Sequence, residues 1–278
     1  MSISSSCLKV FEWDGTPAVN IGKIANNDAY STGDNPDVMF LFIHDLLSWN
    51  FPNLRLLANH YARETGATLF LSRTSSAMNP SHLLPFSATT GISSMSRLSL
   101  RRTLARFVSL RSLRSLELRT KFKNVSAVGF CFGGWTLFNL GGKEQSPLVD
   151  CISAGHPTWL TKKDIEEVAV PVQILAPEID TAFNAELKLH SFQTIPKLGI
   201  PFDYQHFPGV EHACFSRGDL NHAGEREAMI RGKNAVVSWF KQFLFETGRS
   251  ADRTSSAVWS MKFVSCLLCT SCETKFNC

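Results

Sequence analysis

The sequence reads Val128-Gly129-Phe130-Cys131-Phe132-Gly133-Gly134 at the point where an apolar strand-like segment gives way to an apolar helix-like one. Glycines two positions before and two positions after Cys131 permit a tight strand-to-helix turn, because larger side chains would collide there. Such a turn exposes its central side chain at the edge of a sheet. We therefore predict a nucleophile elbow with Cys131 at its tip. Taken alone, the pattern also fits a cysteine whose neighbouring glycines only let a helix pack closely on a strand.

The expected position of Cys131 favours reactive thiol chemistry. The N-terminus of a helix presents unpaired backbone N–H groups and the positive end of the helix dipole. Both stabilise a thiolate relative to a thiol, and a nearby imidazolium would stabilise it further. Cys131 is therefore the candidate nucleophile.

Short apolar runs rich in β-forming residues recur along the chain and predict strands. They cover residues 38–43, 67–71, 125–130, 172–175 and 202–207. Apolar residues at helical spacing predict helices over Leu54–Arg63 and from Glu225 to about Phe245. This alternation predicts an α/β fold with a mostly parallel central sheet flanked by helices. We expect one domain over residues 1–248, since a single α/β domain commonly reaches about 200–250 residues.

The charge and composition of the chain limit the kinds of molecule that it is expected to bind. A formal net charge of +4 over 278 residues, without a basic stripe, argues against nucleic-acid binding. The sequence has no run of about 18 apolar residues and no charged leader ahead of an apolar segment, so we expect neither a membrane span nor secretion. Scattered cysteines suit a reducing compartment. We expect a cytoplasmic protein that acts on a small molecule without a cofactor, and the sequence leaves its oligomeric state open.

Two later strand ends carry the groups that a nucleophilic cysteine needs. Asp180 follows the strand that begins near Val172, and it could orient a histidine and stabilise its positive charge. His212 follows the strand that begins near Phe202, just before the last helix, and is the candidate general base. Glu178 is the rival acid. His156 ranks second as a base, because it precedes the acid and breaks the order nucleophile, acid, histidine.

With these three positions in place, the chain resembles the dienelactone hydrolase family, especially its fungal members, within the α/β-hydrolase superfamily. The shared motifs are G-F-C-x-G-G around Cys131, A-P-E-x-D ending at Asp180 and F-P-G-V-x-H ending at His212. The resemblance covers Phe40–Leu71 and Val125–Phe245. It implies an α/β-hydrolase fold and a Cys-His-Asp triad that acts through an acyl-thioester on lactones or activated esters.

The resemblance also implies groups around the substrate. The backbone N–H groups of Leu46 and Phe132 would form an oxyanion hole. Asp45 occupies the place where relatives carry an acid near the nucleophile, and it could help to form the thiolate, although a plain loop carboxylate is an equal alternative. Trp49 in the same loop is a further candidate for substrate binding. Arg217 matches the arginine of the family's H-G-F-x-x-R-G-D segment and could bind a substrate carboxylate, although the preceding Ala-Cys pair departs from that pattern.

Two segments depart from the family pattern. Residues 73–120 are rich in Ser, Leu and Arg, and the P-D-x-F-x-G-like loop expected after Leu71 is absent. A shifted reading frame is one hypothesis for this segment, and the coding sequence would test it. Arg101–Lys123 could form a basic helix, either solvated or bound to a membrane surface or partner. Residues 249–278 lack histidine and glycine, so we expect a disordered tail rather than a metal site, despite its cysteines Cys266, Cys269, Cys272 and Cys278.

Together these features predict a hydrolase of the dienelactone hydrolase type that cleaves an ester or lactone of a small molecule and needs no metal. Two alternatives stay open. One is a hydrolase or cyclase that acts on an intermediate of secondary-metabolite biosynthesis. The other is a non-catalytic or impaired α/β-hydrolase-like protein, which acylation of Cys131 would distinguish from an enzyme.

Overall fold

The computed structural model describes residues 9–18, 21–24, 27–45, 47–72, 118–145 and 147–244. The chain divides into two units, Met1–Phe245 and Glu246–Cys278, and every described residue belongs to the first. Several expectations therefore lie outside the described residues. They concern Leu46, the segment 73–117 with its reading-frame hypothesis and most of its basic helix, and the C-terminal tail with its four cysteines.

An eight-stranded sheet forms the centre of the described part of the chain. Its strands are β1 (Ile21–Ile24), β2 (Asn27–Thr32), β3 (Val38–Ile43), β4 (Thr68–Ser72), β5 (Asn124–Phe130), β6 (Cys151–Gly155), β7 (Val172–Ile179) and β8 (Phe202–Glu211). Their spatial order is β1-β2-β4-β3-β5-β6-β7-β8. Strands β3 to β8 are parallel to one another, which confirms the mostly parallel sheet. The sequence did not predict the antiparallel strands β1 and β2, which are short and interrupted by polar residues.

Helices cover both faces of this sheet. They are α1 (Pro52–Thr65), α2 (Phe132–Leu140), α3 (Lys162–Glu166), α4 (Ala185–Thr194), α5 (Cys214–Arg217) and α6 (Ala223–Leu244). One apolar cluster joins α1 and α6 to Phe40 and Phe42 of β3, and the other joins α2 and α3 to Met39 and Leu41 of the same strand. Alternate side chains of β3 thus enter opposite layers, which explains why this strand reads as an unbroken apolar run. Within the described ranges, no helix is both long and apolar enough to cross a bilayer.

The parallel arrangement brings distant parts of the sequence to one edge of the sheet. The carboxyl ends of neighbouring parallel strands lie side by side, and the residues that follow them share that edge. Cys131 follows β5, His156 follows β6, Asp180 follows β7 and His212 follows β8. The order of the strands therefore places all four residues along the same rim.

Two glycines let α2 leave β5 in the tight turn that the sequence predicted. A Cβ atom added to Gly129 would lie 2.7 Å from the backbone carbon of Gly133, and one added to Gly133 would lie 2.6 Å from the backbone oxygen of Ile43. Both clashes are with backbone atoms, which cannot rotate away as a flexible side chain can. Neither position accepts a side chain without a shift of the helix or the strand.

Replacing Gly129 by alanine should lower the free energy of unfolding by about 1–3 kcal/mol, the usual cost of overpacking a close contact. Gly224→Ala in α6 is the matched control, because its nearest contact would be an ordinary 3.6 Å to the ring of His222. Urea denaturation of the two variants measures the difference. Equal transition midpoints would contradict the steric role of Gly129.

Candidate active site

Cys131 occupies a strained backbone conformation at the junction of β5 and α2. Its φ and ψ angles are 57° and −123°, a positive-φ conformation that non-glycine residues adopt at a cost of about 1–3 kcal/mol. The surrounding backbone maintains this conformation. The Cys131 N–H donates to the carbonyl of Gly155 at 3.1 Å, and the Cys131 carbonyl accepts from Gly134 N at 3.0 Å. The thiol consequently lies at the N-terminus of α2, where backbone dipoles favour a thiolate.

Asp180 and His212 form a buried pair beside this turn. Oδ2 of Asp180 lies 2.9 Å from Nδ1 of His212, and neither side chain is exposed to solvent. The other carboxylate oxygen, Oδ1, accepts the backbone N–H groups of Ala182 at 2.8 Å and Phe183 at 3.0 Å. These bonds fix the carboxylate plane, so Oδ2 holds the imidazole in one orientation with Nε2 directed away from Asp180.

The surroundings of His212 favour its protonated form. Burial alone lowers the pKa of His212, but the hydrogen bonds to Asp180 and Cys131, together with the negative charges of these groups, raise it to about 9. A proton on the imidazole and a negative charge on the sulfur stabilise each other in this buried setting.

Thr158 was not predicted from the sequence, yet its hydroxyl contacts the side chains of both Cys131 and His212. Its Oγ1 is 3.2 Å from Sγ of Cys131 and 3.4 Å from Nε2 of His212. The residue comes three positions after the end of β6, at the same rim as the other groups. In the sequence, only its position shortly after a strand end distinguishes Thr158 from other threonines.

His156, the second candidate base, makes contacts different from those of His212. Its ring stacks between Phe130, at a centroid distance of 5.4 Å, and Phe215, at 5.5 Å. Its Nδ1 accepts the backbone N–H of Cys131 at 3.2 Å, so it contacts Cys131 through the main chain. Burial, followed by the positive charges of His212 and Arg217, lowers the pKa of His156 well below its usual value and keeps the ring neutral.

The rival acid Glu178 lies on the surface, where its carboxylate accepts the backbone N–H of Gly209 at 2.7 Å. Asp180, two residues later, is the acid that contacts His212. The end of β7 explains the difference. Glu178 is one of the last two residues of the strand, which are exposed, whereas Asp180 follows the strand and is buried.

The three residues expected around the substrate have partners within the protein. Asp45 and Arg217 are fully buried and form an ion pair with 3.0 Å between Oδ2 and Nε. The same Oδ2 accepts the hydroxyl of Ser216 at 3.0 Å. Trp49 is 8% exposed, and the guanidinium of Arg55 lies 5.0 Å from its ring centroid. Roles for Asp45, Trp49 and Arg217 toward a substrate therefore stay predictions.

One of the two expected oxyanion-hole donors lies in the described part of the chain. Phe132 is the first residue of α2 and directly follows Cys131, whereas Leu46 lies outside the described residues. Backbone N–H groups at the start of a helix are not bonded within it and are free to donate to an anion at that end. Across the described ranges, no cluster of three or more His, Cys, Asp or Glu side chains is arranged to hold a metal ion.

A mostly parallel sheet, a strand-to-helix elbow and a rim that carries an acid and a histidine define the α/β-hydrolase class. Residues 85–244, more than half of the chain, match the family model described as the dienelactone hydrolase family. The chain belongs to that family. The match includes residues 85–120, which lack the expected family motifs, and it does not include Phe40–Leu71, which the sequence motifs assign to the resemblance.

Individual relatives agree with this assignment. The chain is 30% identical to the protein named hydrolase tropI from Talaromyces stipitatus over 134 residues, which cover 47% of this chain and 51% of that protein. It is 28% identical to hydrolase pyvD from Aspergillus violaceofuscus over 133 residues, 48% of this chain and 53% of that protein. The chain thus matches about half the length of these curated relatives. A solved dienelactone hydrolase from Anabaena variabilis shares the fold, with a TM-score of 0.57, 13% identity and coverage of 82% of this chain and 98% of that one.

Replacing Asp180 by asparagine should lower the pKa of His212 by about one to three units, because a carboxylate in contact stabilises the imidazolium by that amount. Glu178→Gln is the matched control, since Glu178 contacts Gly209 and not His212. NMR titration of the imidazole signals measures both variants. The pairing of Asp180 with His212 would be refuted by a pKa that falls in Glu178→Gln and stays near 9 in Asp180→Asn.

Proposed function

We propose that this protein hydrolyses an ester or lactone bond of a small molecule, with Cys131 as nucleophile, His212 as general base and acid, and Asp180 as the group that orients His212. The observation that supports this most directly is the buried pair of His212 and Asp180, with 2.9 Å between Nδ1 and Oδ2, at the same rim of the sheet as the Cys131 thiol. Membership of the dienelactone hydrolase family supports hydrolysis as the reaction class.

In the first half of the reaction, the proton of the Cys131 thiol moves to Nε2 of His212 and leaves its electron pair on sulfur. The thiolate attacks the carbonyl carbon, and negative charge develops on the carbonyl oxygen. The N–H of Phe132, with Leu46 as the expected second donor, would stabilise that charge. The tetrahedral intermediate then breaks its bond to the leaving oxygen, which takes the proton from His212, and a thioester remains on Cys131.

In the second half, water attacks the thioester while His212 accepts one of its protons. The second tetrahedral intermediate expels the thiolate, and the carboxylic acid is released. Asp180 stabilises the imidazolium in both halves without accepting the proton itself. A lactone and an open ester differ only in whether the alcohol remains attached to the acyl group, so the same groups serve both substrates.

The location that we propose is the cytoplasm. Of the cysteines that the structure describes, Cys131, Cys151 and Cys214 form no disulfide, and all three are buried. Burial raises the pKa of the Cys151 thiol and that of the Cys214 thiol, so these two cysteines stay protonated at neutral pH. A reducing compartment suits an enzyme whose nucleophile must remain a thiol.

Cys131→Ala should reduce hydrolysis of a chromogenic ester by a factor of roughly 10³ or more, because the covalent intermediate cannot form. Cys151→Ala is the matched control. It removes another buried sulfur at the amino end of β6, far along the strand from the rim, and should retain turnover per folded molecule. Steady-state assays, with circular dichroism to verify folding, measure both variants.

When the wild type is quenched during turnover, mass spectrometry should detect the acyl group on the peptide that contains Cys131. Full activity of Cys131→Ala would remove Cys131 as the nucleophile. Acylation of Cys131 without release of product would instead indicate the impaired protein that the sequence left open as an alternative.

A further inference from the structure

The loop after β6 carries a hydroxyl that the proposed mechanism does not yet use. Oγ1 of Thr158 lies 3.2 Å from Sγ of Cys131 and 3.4 Å from Nε2 of His212, so it contacts both atoms between which the proton moves. A hydroxyl has one hydrogen to donate and two lone pairs to accept. It can therefore serve a donor and an acceptor at the same time.

The loop is attached firmly to the nucleophile elbow. The backbone N–H of Thr158 donates to the carbonyl of Cys131 at 2.9 Å. Residues on both sides adopt positive φ angles, 37° at His156 and 67° at Trp159. A Cβ atom on Gly134 would lie 2.7 Å from Cβ of Pro157, so α2 and the loop touch at that glycine. These contacts hold the Thr158 hydroxyl at a set distance from the sulfur.

We propose that Thr158 is a further catalytic residue of the site, whose hydroxyl bridges the Cys131 thiolate and the protonated His212 and stabilises them as a pair. This proposal rests on the proposed function. When the S–H bond of Cys131 breaks, its electron pair stays on sulfur and the proton bonds to Nε2 of His212. Thr158 then donates its O–H to the thiolate and accepts the new N–H of the imidazolium. The hydroxyl keeps its own proton, and both charges gain a hydrogen bond.

The buried setting gives this bridge its effect. Cys131 is 2% exposed and His212 3% exposed, so water supplies little solvation to either charge. A buried charge that lacks a hydrogen bond is costly, and the neutral thiol and imidazole become favoured instead. The Thr158 hydroxyl lowers that cost for the charged pair more than for the neutral one, because bonds to charged groups are the stronger ones.

The test compares Thr158→Val with Thr158→Ser in the full chain. Valine keeps the branched shape and removes the hydroxyl, whereas serine keeps the hydroxyl and removes the methyl group. The readout is the pH midpoint for alkylation of Cys131 by iodoacetamide, followed by mass spectrometry of the peptide that contains Cys131. We expect the midpoint to rise by about one pH unit or more in Thr158→Val, in line with the usual worth of a hydrogen bond to a charge, and to stay near the wild-type value in Thr158→Ser.

Two further variants complete the design. Thr158→Ala also removes the hydroxyl, without the second methyl group of valine, and should raise the midpoint if Thr158→Val does not fold. Thr136→Val in α2 removes a nearby buried hydroxyl that donates to the carbonyl of Phe132 and should leave the midpoint unchanged. Thermal unfolding verifies that each variant is folded.

The outcomes separate this proposal from the proposed function. An ordinary thiol has a midpoint of about 8.5. If the wild-type midpoint lies well below that value and Thr158→Val and Thr158→Ala leave it unchanged, the role of Thr158 is overturned and the activation of Cys131 is retained. The same holds if Thr158→Ser raises the midpoint as much as Thr158→Val, since packing would then explain the effect. A wild-type midpoint at the ordinary value would overturn the role of Thr158, whereas the hydrolase mechanism, which starts from the thiol, is tested separately by Cys131→Ala.

Discussion

The positive φ of Cys131 is the constraint on which the rest of the site depends. An L-residue accepts that conformation only where the surrounding backbone enforces it, and here the carbonyl of Gly155 and the N–H of Gly134 do so from opposite sides of the turn. The glycines at 129 and 133 remove the side chains that would push α2 away from β5. The strain is offset by the packing of two apolar layers against the sheet.

A second consequence of this geometry is a buried line of polar groups. It runs from Asp180 through His212 and Thr158 to the sulfur of Cys131, with separations of 2.9, 3.4 and 3.2 Å between successive atoms. Each group limits the orientation of the next one, because few other partners compete in a setting with little water. Charge separation between sulfur and imidazole is then favoured by the neighbours already in place, with little rearrangement.

Two buried groups close to this line support it without sharing in it. His156 accepts the backbone N–H of Cys131, and its neutral ring completes an aromatic stack with Phe130 and Phe215. Asp45 and Arg217 neutralise each other in a buried ion pair. Because an unpaired charge at that depth would be costly, each residue of the pair depends on the other for its place in the fold.

Local sequence patterns predicted the elbow, five of the eight strands, the helices α1 and α6, the mostly parallel sheet and the acid and histidine candidates. These features depend on local requirements, namely small residues in a tight turn, apolar periodicity, and polar groups directly after strands. The helix bounds differ from those predicted by at most two residues at either end of α1 and α6.

The partners of these candidates follow from the three-dimensional arrangement of the strands and loops. Asp180, and not Glu178, contacts His212, and His156 contacts the backbone of Cys131. Asp45 pairs with Arg217, and Thr158 contacts the sulfur of Cys131. The tertiary structure also added the antiparallel strands β1 and β2. The physical reason is distance along the chain: these partners are separated by tens to well over a hundred residues, and the pairing depends on strand order and loop direction, which local sequence patterns do not encode.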